Sequence, residues 1–374
     1  MVGLLTFYWA DDYGAMLQAY GLKRCLEELG RETEIIPYAP YRLEGRYRWF
    51  APRYQNWAGE ARLQVKECLK AWLRRPFPNG TFLRRRKAMA SFRRRYLTAR
   101  APLRSAEELC LEGYDRVFVG SDQIWNPEIT LGIDDAYIGK ASARGGRLAA
   151  YGASLGGTEL PEAYREAFSA QVGRAFDGIS LREQSAVPGM EALLGRKVTD
   201  VLDPVFLLER REWEKLAVTP AEKGYVLVYQ TEMNEFLMEY AHQVGRELGV
   251  PVVDVSFFRN APPLAWAERR AGIGPLEFAG YVRGAACVLT NSFHGAAFSI
   301  LFEKPFLVFP LVRNAGKNPR LTDLLEKLGL EARKAAGTSV PEKGAVWEAL
   351  RWSEVRERLE AERERSIRFI RKYL

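Results

Sequence analysis

The chain has 374 residues, of which 47% are hydrophobic and 27% are charged, and its formal net charge at pH 7 is +8. This composition is typical of a globular protein and excludes a chain that is disordered throughout. One core usually holds about 100–200 residues, so the length predicts two domains.

Cysteine and histidine usage argues against a zinc site. The four cysteines, Cys25, Cys68, Cys110 and Cys287, lie far apart, and the chain has only two histidines. We therefore expect no metal site and a reducing, cytoplasmic location. No apolar run approaches the roughly 20 residues that a bilayer requires, and acidic residues interrupt the first apolar stretch. We expect neither a membrane span nor a signal peptide.

Apolar strands alternate with amphipathic helices in the first half of the chain. The pattern predicts a strand over residues 2–8, a helix that ends before Gly30, and a strand over residues 33–38. Further strands are predicted near residues 116–120, 147–154, 178–182 and 198–202. A basic helical insertion lies between, at about residues 41–100. The alternation is Rossmann-like but lacks the GxGxxG sequence.

The second half of the chain alternates in the same way. Strands are predicted over residues 225–230, 251–257, 287–291 and 305–309, with helices over 235–248, 275–284 and from about 293. This order predicts an α/β fold of two Rossmann-like domains whose parallel sheets face a cleft. We assign residues 1–205 to an N-terminal domain, 206–345 to a C-terminal domain and 346–374 to a charged C-terminal helix.

A histidine follows the predicted strand over residues 287–291. His294 falls in the first turn of the next helix, where free backbone N–H groups attract a phosphate or a carboxylate. Asn291 and Ser292 offer capping oxygens, and Gly295 lets a ligand or another backbone approach. A capped core helix explains the same residues without a ligand. The position at a strand end favours a functional role for His294.

A polar turn with a tryptophan follows the predicted strand over residues 116–120. It contains Ser121, Asp122, Gln123, Trp125 and Asn126. A tryptophan ring stacks on the C–H face of a sugar, while amides and carboxylates bridge its hydroxyls. Alternatively, Ser121 or Asp122 caps a helix and Trp125 packs in the core. Spacing alone does not separate these interpretations.

Two other strand ends carry charged side chains. Asp11 and Asp12 precede Tyr13 at the first strand-to-helix turn and could bind hydroxyls, although acidic residues there also complement the helix dipole. Arg182 follows a strand and suits a phosphate or a carboxylate. Its neighbour Glu183 is a candidate salt-bridge partner.

Taken in order, these motifs resemble those of the polysaccharide pyruvyl transferase family. The resemblance rests on Asp11-Asp12-Tyr13-Gly14-Ala15 with Gln18, Gly120-Ser121-Asp122-Gln123-Ile124-Trp125-Asn126, Ser180-Leu181-Arg182-Glu183, Asp203-Pro204, Gly274-Pro275 with Phe278, and Thr290-Asn291-Ser292-Phe293-His294-Gly295 with Phe298. It implies a fold like that of GT-B glycosyltransferases. It also implies transfer of the enolpyruvyl unit of phosphoenolpyruvate to a sugar of a cell-surface glycan or its lipid-linked precursor, giving a pyruvate ketal and phosphate, without a cofactor.

The resemblance also implies roles for individual residues. His294 is expected to be the general acid or phosphate-side donor, and Asp122, or alternatively Asp12, to accept a hydroxyl proton. The C-terminal domain is the expected donor side, and the expected donor-binding residues are Arg182 from the N-terminal domain, Asn291, Ser292, Phe293, Gly295 and, from their position in the sequence alone, Lys317 and Arg320. The expected acceptor-binding residues are Asp11, Asp12, Tyr13, Ser121, Gln123, Trp125 and Asn126. Many members carry an arginine where this chain has Ser292, and Arg313, Lys317 and Arg320 are candidates to replace its charge.

The positive charge of the chain is concentrated in the insertion. Residues 41–100 contain 17 basic and three acidic side chains, whereas the rest of the chain has a net charge of −6. Arg62, Lys66, Lys70 and Arg74 flank an apolar stripe, as in a helix that lies on an anionic membrane. Alternatively, this stripe docks on the N-terminal domain. A peripheral position at the inner membrane surface is thus one expectation, whereas the acidic body argues against a nucleic-acid partner.

Three alternative functions remain open from the sequence. The first is a GT-B-type glycosyltransferase that uses a nucleotide sugar, for which Glu277 is the nearest candidate carboxylate in the second domain. The second is a carbohydrate-binding relative without activity. A nucleic-acid-binding protein is the third, although no reader motif is present in the sequence.

Overall fold

The computed structural model describes residues 1–45, 80–141, 145–258 and 264–374. The basic helix that the sequence predicts around residues 62–74 lies outside these ranges. Across the described residues, two separate parallel sheets form, one from each half of the chain.

Six parallel strands of the described residues form the first sheet, in the order β2-β1-β3-β4-β5-β6. The strands are β1 (Val2–Leu5), β2 (Thr33–Ile35), β3 (Arg116–Val119), β4 (Leu148–Ala153), β5 (Phe176–Leu181) and β6 (Thr199–Asp200). The accompanying helices are α1 (Tyr13–Glu28), α2 (Tyr41–Glu44), α3 (Gly80–Phe92), α4 (Pro127–Thr130), α5 (Glu162–Ala175) and α6 (Val187–Leu194). The apolar runs of β1 and β3 are fully buried because this parallel sheet is covered on its faces.

The second sheet takes five parallel strands from the described part of the chain, in the order β11-β10-β7-β8-β9. The strands are β7 (Val226–Tyr229), β8 (Val252–Asp254), β9 (Ala267–Arg269), β10 (Cys287–Thr290) and β11 (Phe306–Val308). The later helices are α7 (Arg210–Leu216), α8 (Glu235–Leu248), α9 (Pro275–Gly284), α10 (Phe293–Leu301), α11 (Pro319–Leu328) and α12 (Trp352–Tyr373). The predicted fold of two Rossmann-like parallel domains of the GT-B type is confirmed.

Aromatic rings join the two domains beneath the cleft. Phe278 of α9 stacks on Tyr13 of α1 with the ring centroids 4.8 Å apart, and it also meets the edge of Tyr229. The guanidinium of Arg85, on α3, lies 4.2 Å from the centre of the Tyr13 ring and 4.8 Å from that of Phe257. The described part of the basic insertion therefore packs against both domains.

The last two helices also tie the domains together. In α11, Nζ of Lys327 contacts both carboxylate oxygens of Asp200 at 2.7 and 2.8 Å. From α12, Nε of Arg363 donates to the carbonyl of Phe206 at 2.7 Å, and Oγ of Ser366 accepts from the N–H of Leu202 at 2.9 Å. These contacts return the C-terminal helix to the N-terminal domain.

Element boundaries differ from the sequence predictions mainly at strand ends. The strand predicted over residues 2–8 ends at Leu5, although the residues that follow stay buried. The C-terminal helix begins at Trp352, not at residue 346, because residues 345–347 form a single 3-10 turn. The edge strand β9 was not predicted. The strands of the two sheets lie on either side of residue 205, and the domain division there stays a prediction.

The exposed face of α3 keeps the positive charge that the sequence indicates. Phe82, Met89 and Phe92 are buried on its inner face, whereas Arg84 and Arg86 are exposed. Contact with an anionic membrane stays a prediction. No helix in the described part of the chain is long and apolar enough to cross a bilayer.

We predict that Phe278→Ala destabilises the protein strongly. The ring is fully buried between the domains, and removing such a ring costs about 3–5 kcal/mol. Urea denaturation followed by circular dichroism would measure the free energy of unfolding. Leu248→Ala, at an exposed position at the end of α8, is the control and should change it by less than about 0.5 kcal/mol. Equal effects of the two substitutions would contradict this account of the domain contact.

Candidate active site

A cleft of about 240 Å³ lies between the carboxyl edges of the two sheets. One wall comes from the N-terminal domain and the other from the C-terminal domain. The lining residues are Phe7, Ala10, Asp12, Ala15, Asp122, Gln123, Ile129, Thr231, Glu232, Asn291, Ser292, Phe293, His294, Leu311, Asn314, Lys317 and Arg320. Predicted donor-side and acceptor-side residues therefore face each other across one cleft.

His294 lies in the first turn of α10, directly after β10. Ser292 is the N-cap of this helix, and its side chain accepts from the N–H of Gly295. The imidazole rests against α1 of the other domain, where a Cβ atom at Gly14 would lie 1.9 Å from Nδ1. Gly14 is therefore required for the ring to occupy this position, and both domains contribute to the histidine's environment.

A buried carboxylate lies between the histidine and an arginine. Oδ2 of Asp203 is 2.5 Å from Nη1 of Arg182 and 3.5 Å from Nε2 of His294. Burial by itself would raise the pKa of Asp203, but His294 and Arg182 outweigh it and hold this pKa well below its usual value. Nε2 of His294 has no hydrogen-bond partner within the described residues. The atom is buried and faces the carboxylate of Asp203, which therefore orients the ring electrostatically.

Cationic side chains line the C-terminal wall. Arg320 begins α11, and Lys317 precedes it with Nζ 3.3 Å from Oε2 of Glu128. Burial, followed by the charge of Arg182, lowers the pKa of Arg320 to about 10, so it stays charged at neutral pH. Among the described residues, Nε of Arg320 and both Nε and Nη2 of Arg182 lack hydrogen-bond partners. These nitrogens are buried, and those of Arg182 lie 3.8–3.9 Å from the carboxylates of Asp122 and Glu183. Arg320 itself lines the cleft, whereas Arg182 adds positive charge from behind it.

Carboxylates line the N-terminal wall. Oδ1 of Asp12 caps α1 by accepting from the N–H of Ala15 at 3.1 Å. Asp122 adopts a φ of 71°, which aspartate tolerates better than most residues because its short side chain can bond the local backbone. Here Oδ1 accepts from the N–H of Gln123 at 2.9 Å. The N-terminal wall thus carries the carboxylates of Asp12 and Asp122, and the C-terminal wall carries Lys317 and Arg320 together with the loop-bound carboxylate of Glu232.

Several predicted acceptor residues occupy the core instead. Nε1 of Trp125 donates to the carbonyl of Tyr137 at 2.9 Å, and its ring packs edge-on against Phe168. Oγ of Ser121, which is fully buried, donates to a backbone carbonyl behind the cleft. Asn126 caps α4 and donates to Oε1 of Gln123 at 2.8 Å. This placement gives no support to contact of Trp125 and Ser121 with a sugar, and Asn126 is bonded to Gln123, which lines the cleft.

Other predicted residues are also held away from the cleft. Asp11 pairs with Arg93 of the insertion at 2.9 Å, and Tyr13 is fully buried in the domain contact. At Gly295, a Cβ atom would lie 2.2 Å from Oγ1 of Thr290, so this glycine permits close helix–strand packing and not ligand approach. Arg182 lies behind Phe293, with its guanidinium 4.8 Å from the ring centre. Direct contact of these side chains with a substrate is not supported by this placement.

Two residues near the cleft were not predicted as site residues. Asp203 follows β6 just as Asp122 follows β3, and the Asp203-Pro204 motif was the available signal. Glu232 follows β7, and its partners are residues 312–314, far away in the sequence. No local pattern marks such a contact.

The comparison with protein families agrees with this geometry. The model of the polysaccharide pyruvyl transferase family matches residues 12–311. The match therefore begins and ends at two residues that line the cleft, Asp12 and Leu311. The chain belongs to the polysaccharide pyruvyl transferase family. A search of curated protein sequences found no significant match.

Solved structures resemble this transferase in fold. A putative UDP-N-acetylglucosamine 2-epimerase from Listeria monocytogenes matches with a TM-score of 0.50 and 12% identity, over 97% of this chain and 90% of that one. The UDP-GlcNAc 2-epimerase from Neisseria meningitidis has a TM-score of 0.48 and 10% identity, over 98% and 93% of the chains. At such identities the likeness concerns the fold alone.

Metal binding by this transferase was not expected from the sequence. In the ranges that the structure describes, no three His, Cys, Asp or Glu side chains come together as a metal-binding group. The expectation that the reaction needs neither a metal nor a cofactor stays a prediction.

We predict that Asp203→Asn destabilises the transferase in a pH-dependent way. At pH 7 the change removes the charge closest to the buried Arg182, while the carboxylates of Asp122 and Glu183 stay 3.8 and 3.9 Å away, so the cost should be at most about 3–5 kcal/mol. The pKa of Asp203 is lower in the folded protein than in the unfolded chain. The ionised carboxylate therefore stabilises the fold fully above the unfolded pKa of about 3.9, and this stabilisation disappears as the pH falls through the folded pKa. The difference in unfolding free energy between wild type and variant should therefore shrink below about pH 4.

Chemical denaturation at several pH values would measure this difference. Asp135→Asn is the control, because the Asp135 carboxylate is 44% exposed and pairs with Lys140 on the surface. Its effect should stay within about 0.5 kcal/mol at every pH. A difference for Asp203→Asn that grows toward low pH would have the wrong sign.

Proposed function

We propose that this protein transfers the enolpyruvyl unit of phosphoenolpyruvate to a sugar of a cell-surface glycan or its lipid-linked precursor, forming a pyruvate ketal and releasing phosphate. The observation that carries the proposal is the division of charge in the cleft. His294, Lys317 and Arg320 line one wall, and Asp12 and Asp122 line the other. A donor with both a phosphate and a carboxylate needs different surroundings from a hydroxyl-rich acceptor, and the cleft offers both.

The cationic wall suits phosphoenolpyruvate because this molecule carries both a phosphate and a carboxylate. Arg320 and Lys317 supply positive charge, and the free N–H groups in the first turn of α10 add to it. Arg182, although buried behind Phe293, contributes to the positive potential. In this proposal Arg320 takes the place of the arginine that many family members carry at the position of Ser292.

The acidic wall suits a sugar. Asp122 and Asp12 are hydrogen-bond acceptors, and Gln123 offers an amide beside them. Phe7 and Ile129 provide apolar surface in the same wall. A sugar ring has C–H faces and hydroxyl edges, so this mixture matches its chemistry.

The proposed reaction begins with a proton transferred to the methylene carbon of phosphoenolpyruvate, with His294 as the general acid. A sugar hydroxyl attacks the adjacent carbon, and Asp122 takes the hydroxyl proton. A second hydroxyl of the same sugar then attacks that carbon as the bond between this carbon and the bridging phosphate oxygen breaks. Phosphate leaves with the second hydroxyl proton, and a methyl group and a cyclic ketal remain. Asp203 is proposed to hold the imidazole in the required orientation.

The assay that tests this function combines phosphoenolpyruvate with a panel of glycan acceptors. Phosphate release together with a mass gain of one pyruvate ketal would support it. Turnover of a nucleotide sugar in its place would identify a glycosyltransferase, and glycan binding without either reaction would identify an inactive relative. Each of the alternatives from the sequence thus has its own outcome.

We predict that His294→Ala lowers kcat for phosphate release by at least about 100-fold, since one general acid contributes about 10²–10⁴-fold. His242→Ala is the matched control, because the other histidine stacks on Trp266 with ring centroids 4.5 Å apart, within the second domain. It should leave kcat close to that of the wild type. Near-normal turnover by His294→Ala would remove this residue from the reaction.

We predict that Arg320→Ala raises KM for phosphoenolpyruvate by about 10–100-fold, the loss expected for a hydrogen bond to a charged group. Arg313→Ala is the control, since this neighbouring arginine is exposed outside the lining of the cleft. Steady-state kinetics over a range of donor concentrations would measure both. If only Arg313→Ala raised KM, the donor charge would be held by Arg313 and not by Arg320.

A further inference from the structure

The loop over residues 311–318 joins the second sheet to helix α11, whose first turn carries Arg320. Its two ends are fastened by one side chain, because Oδ1 of Asn318 accepts from the N–H of Leu311 at 2.8 Å and Nδ2 donates to the carbonyl of Leu311 at 3.0 Å. Lys317 lies in this loop, and Arg320 follows it in the first turn of α11. The path of the loop therefore determines where both cations lie.

A single carboxylate holds the exposed middle of this loop. Oε1 of Glu232 accepts from the N–H groups of Val312 and Arg313, both at 2.8 Å. Oε2 accepts from the N–H of Asn314 at 3.1 Å and from its Nδ2 at 2.6 Å. Burial alone would raise the pKa of Glu232, but these hydrogen bonds outweigh it and keep the pKa below its ordinary value. Glu232 is therefore held as a carboxylate by the loop.

The backbone of Glu232 is fixed in turn by Asn291 at the end of β10. Oδ1 of Asn291 accepts from the N–H of Thr231 at 2.8 Å, and Nδ2 donates to the carbonyl of Glu232 at 2.6 Å. The chain of contacts thus runs from the turn that carries His294, through Asn291 and Glu232, to the loop before Arg320. It links the carboxyl ends of β7, β10 and β11.

We propose that Glu232 is a positioning residue for the donor end of the cleft, where it fixes the 311–318 loop so that Lys317 and Arg320 face the anionic donor. This inference rests on the proposed function, since it assumes that the donor carries the negative charge. It also gives Asn291 a different task from the donor binding expected from the sequence. Asn291 holds the backbone that presents the Glu232 carboxylate.

A purely electrostatic role of Glu232 predicts the opposite effect on binding of the anionic donor. The carboxylate lines the same cleft as Lys317 and Arg320, so its removal alone should strengthen binding of an anion. If the residue positions the loop, its removal should weaken that binding. The direction of the change therefore separates a positioning role from a purely electrostatic one.

The experiment compares Glu232→Gln with the wild type in the full-length protein. Equilibrium titration with phosphoenolpyruvate should show binding weakened by about tenfold or more, the loss expected for hydrogen bonds to a charged group. In turnover, KM should rise by a similar factor while kcat changes by less than about threefold. Hydrogen exchange of the amides of residues 312–314 should become faster by about tenfold or more, because their acceptor is weakened. Glu239→Gln, at an exposed position on α8, is the matched control and should change none of these quantities.

A double-mutant cycle tests whether Glu232 acts through the cations. In a Lys317→Ala/Arg320→Ala background, Glu232→Gln should weaken donor binding by less than about twofold further. Tighter binding by Glu232→Gln, or unchanged binding with faster amide exchange, would overturn the positioning role. If the wild type itself does not bind phosphoenolpyruvate, the proposed function fails and the inference fails with it. Wild-type binding that Glu232→Gln does not change removes the inference alone.

Discussion

The buried negative charge of Asp203 is the feature on which the rest of the site depends. The guanidinium of Arg182 is nearly inaccessible to water, and a charge in such surroundings is tolerated only with a partner. Asp203 provides that partner at the end of the first sheet. The same carboxylate oxygen lies beside the imidazole of His294, which comes from the second sheet. The carboxylate of Asp203 therefore balances the charge of Arg182 in one domain and orients the side chain of His294, which belongs to the other.

The fold could be predicted because its periodicity is strong and its helix ends are marked. The helices predicted over residues 235–248 and 275–284 agree with α8 and α9 because Asn234, Gly249 and Pro275 mark their ends. Strands were predicted too long because the flanking residues are also apolar and buried, although they leave the hydrogen-bonded ladder. The edge strand β9 escaped prediction because Glu268 and Arg269 give it no apolar alternation.

The site was predictable only where function and local structure coincide. His294, Asp122 and Asp12 each lie in the connection or first helical turn that follows a strand, and parallel strands bring such residues to one edge. Trp125 also lies in a connection that follows a strand, yet its ring points into the core. Sequence alone does not reveal the direction of a side chain in an irregular turn. Glu232 acts through a contact with residues far away in the chain. Such a partner becomes visible only in three dimensions.

The contact between Gly14 and His294 has a consequence for how this protein can vary. Any side chain larger than hydrogen at position 14 would claim the volume that the imidazole fills. Positions 14 and 294 lie in different domains and near opposite ends of the family match. A larger residue at position 14 is nevertheless compatible only with a different side chain, or a different side-chain position, at 294. Exchange of one domain for that of a distant relative would therefore preserve the reaction only if the incoming half brought a glycine, or an equally small neighbour, to the same place.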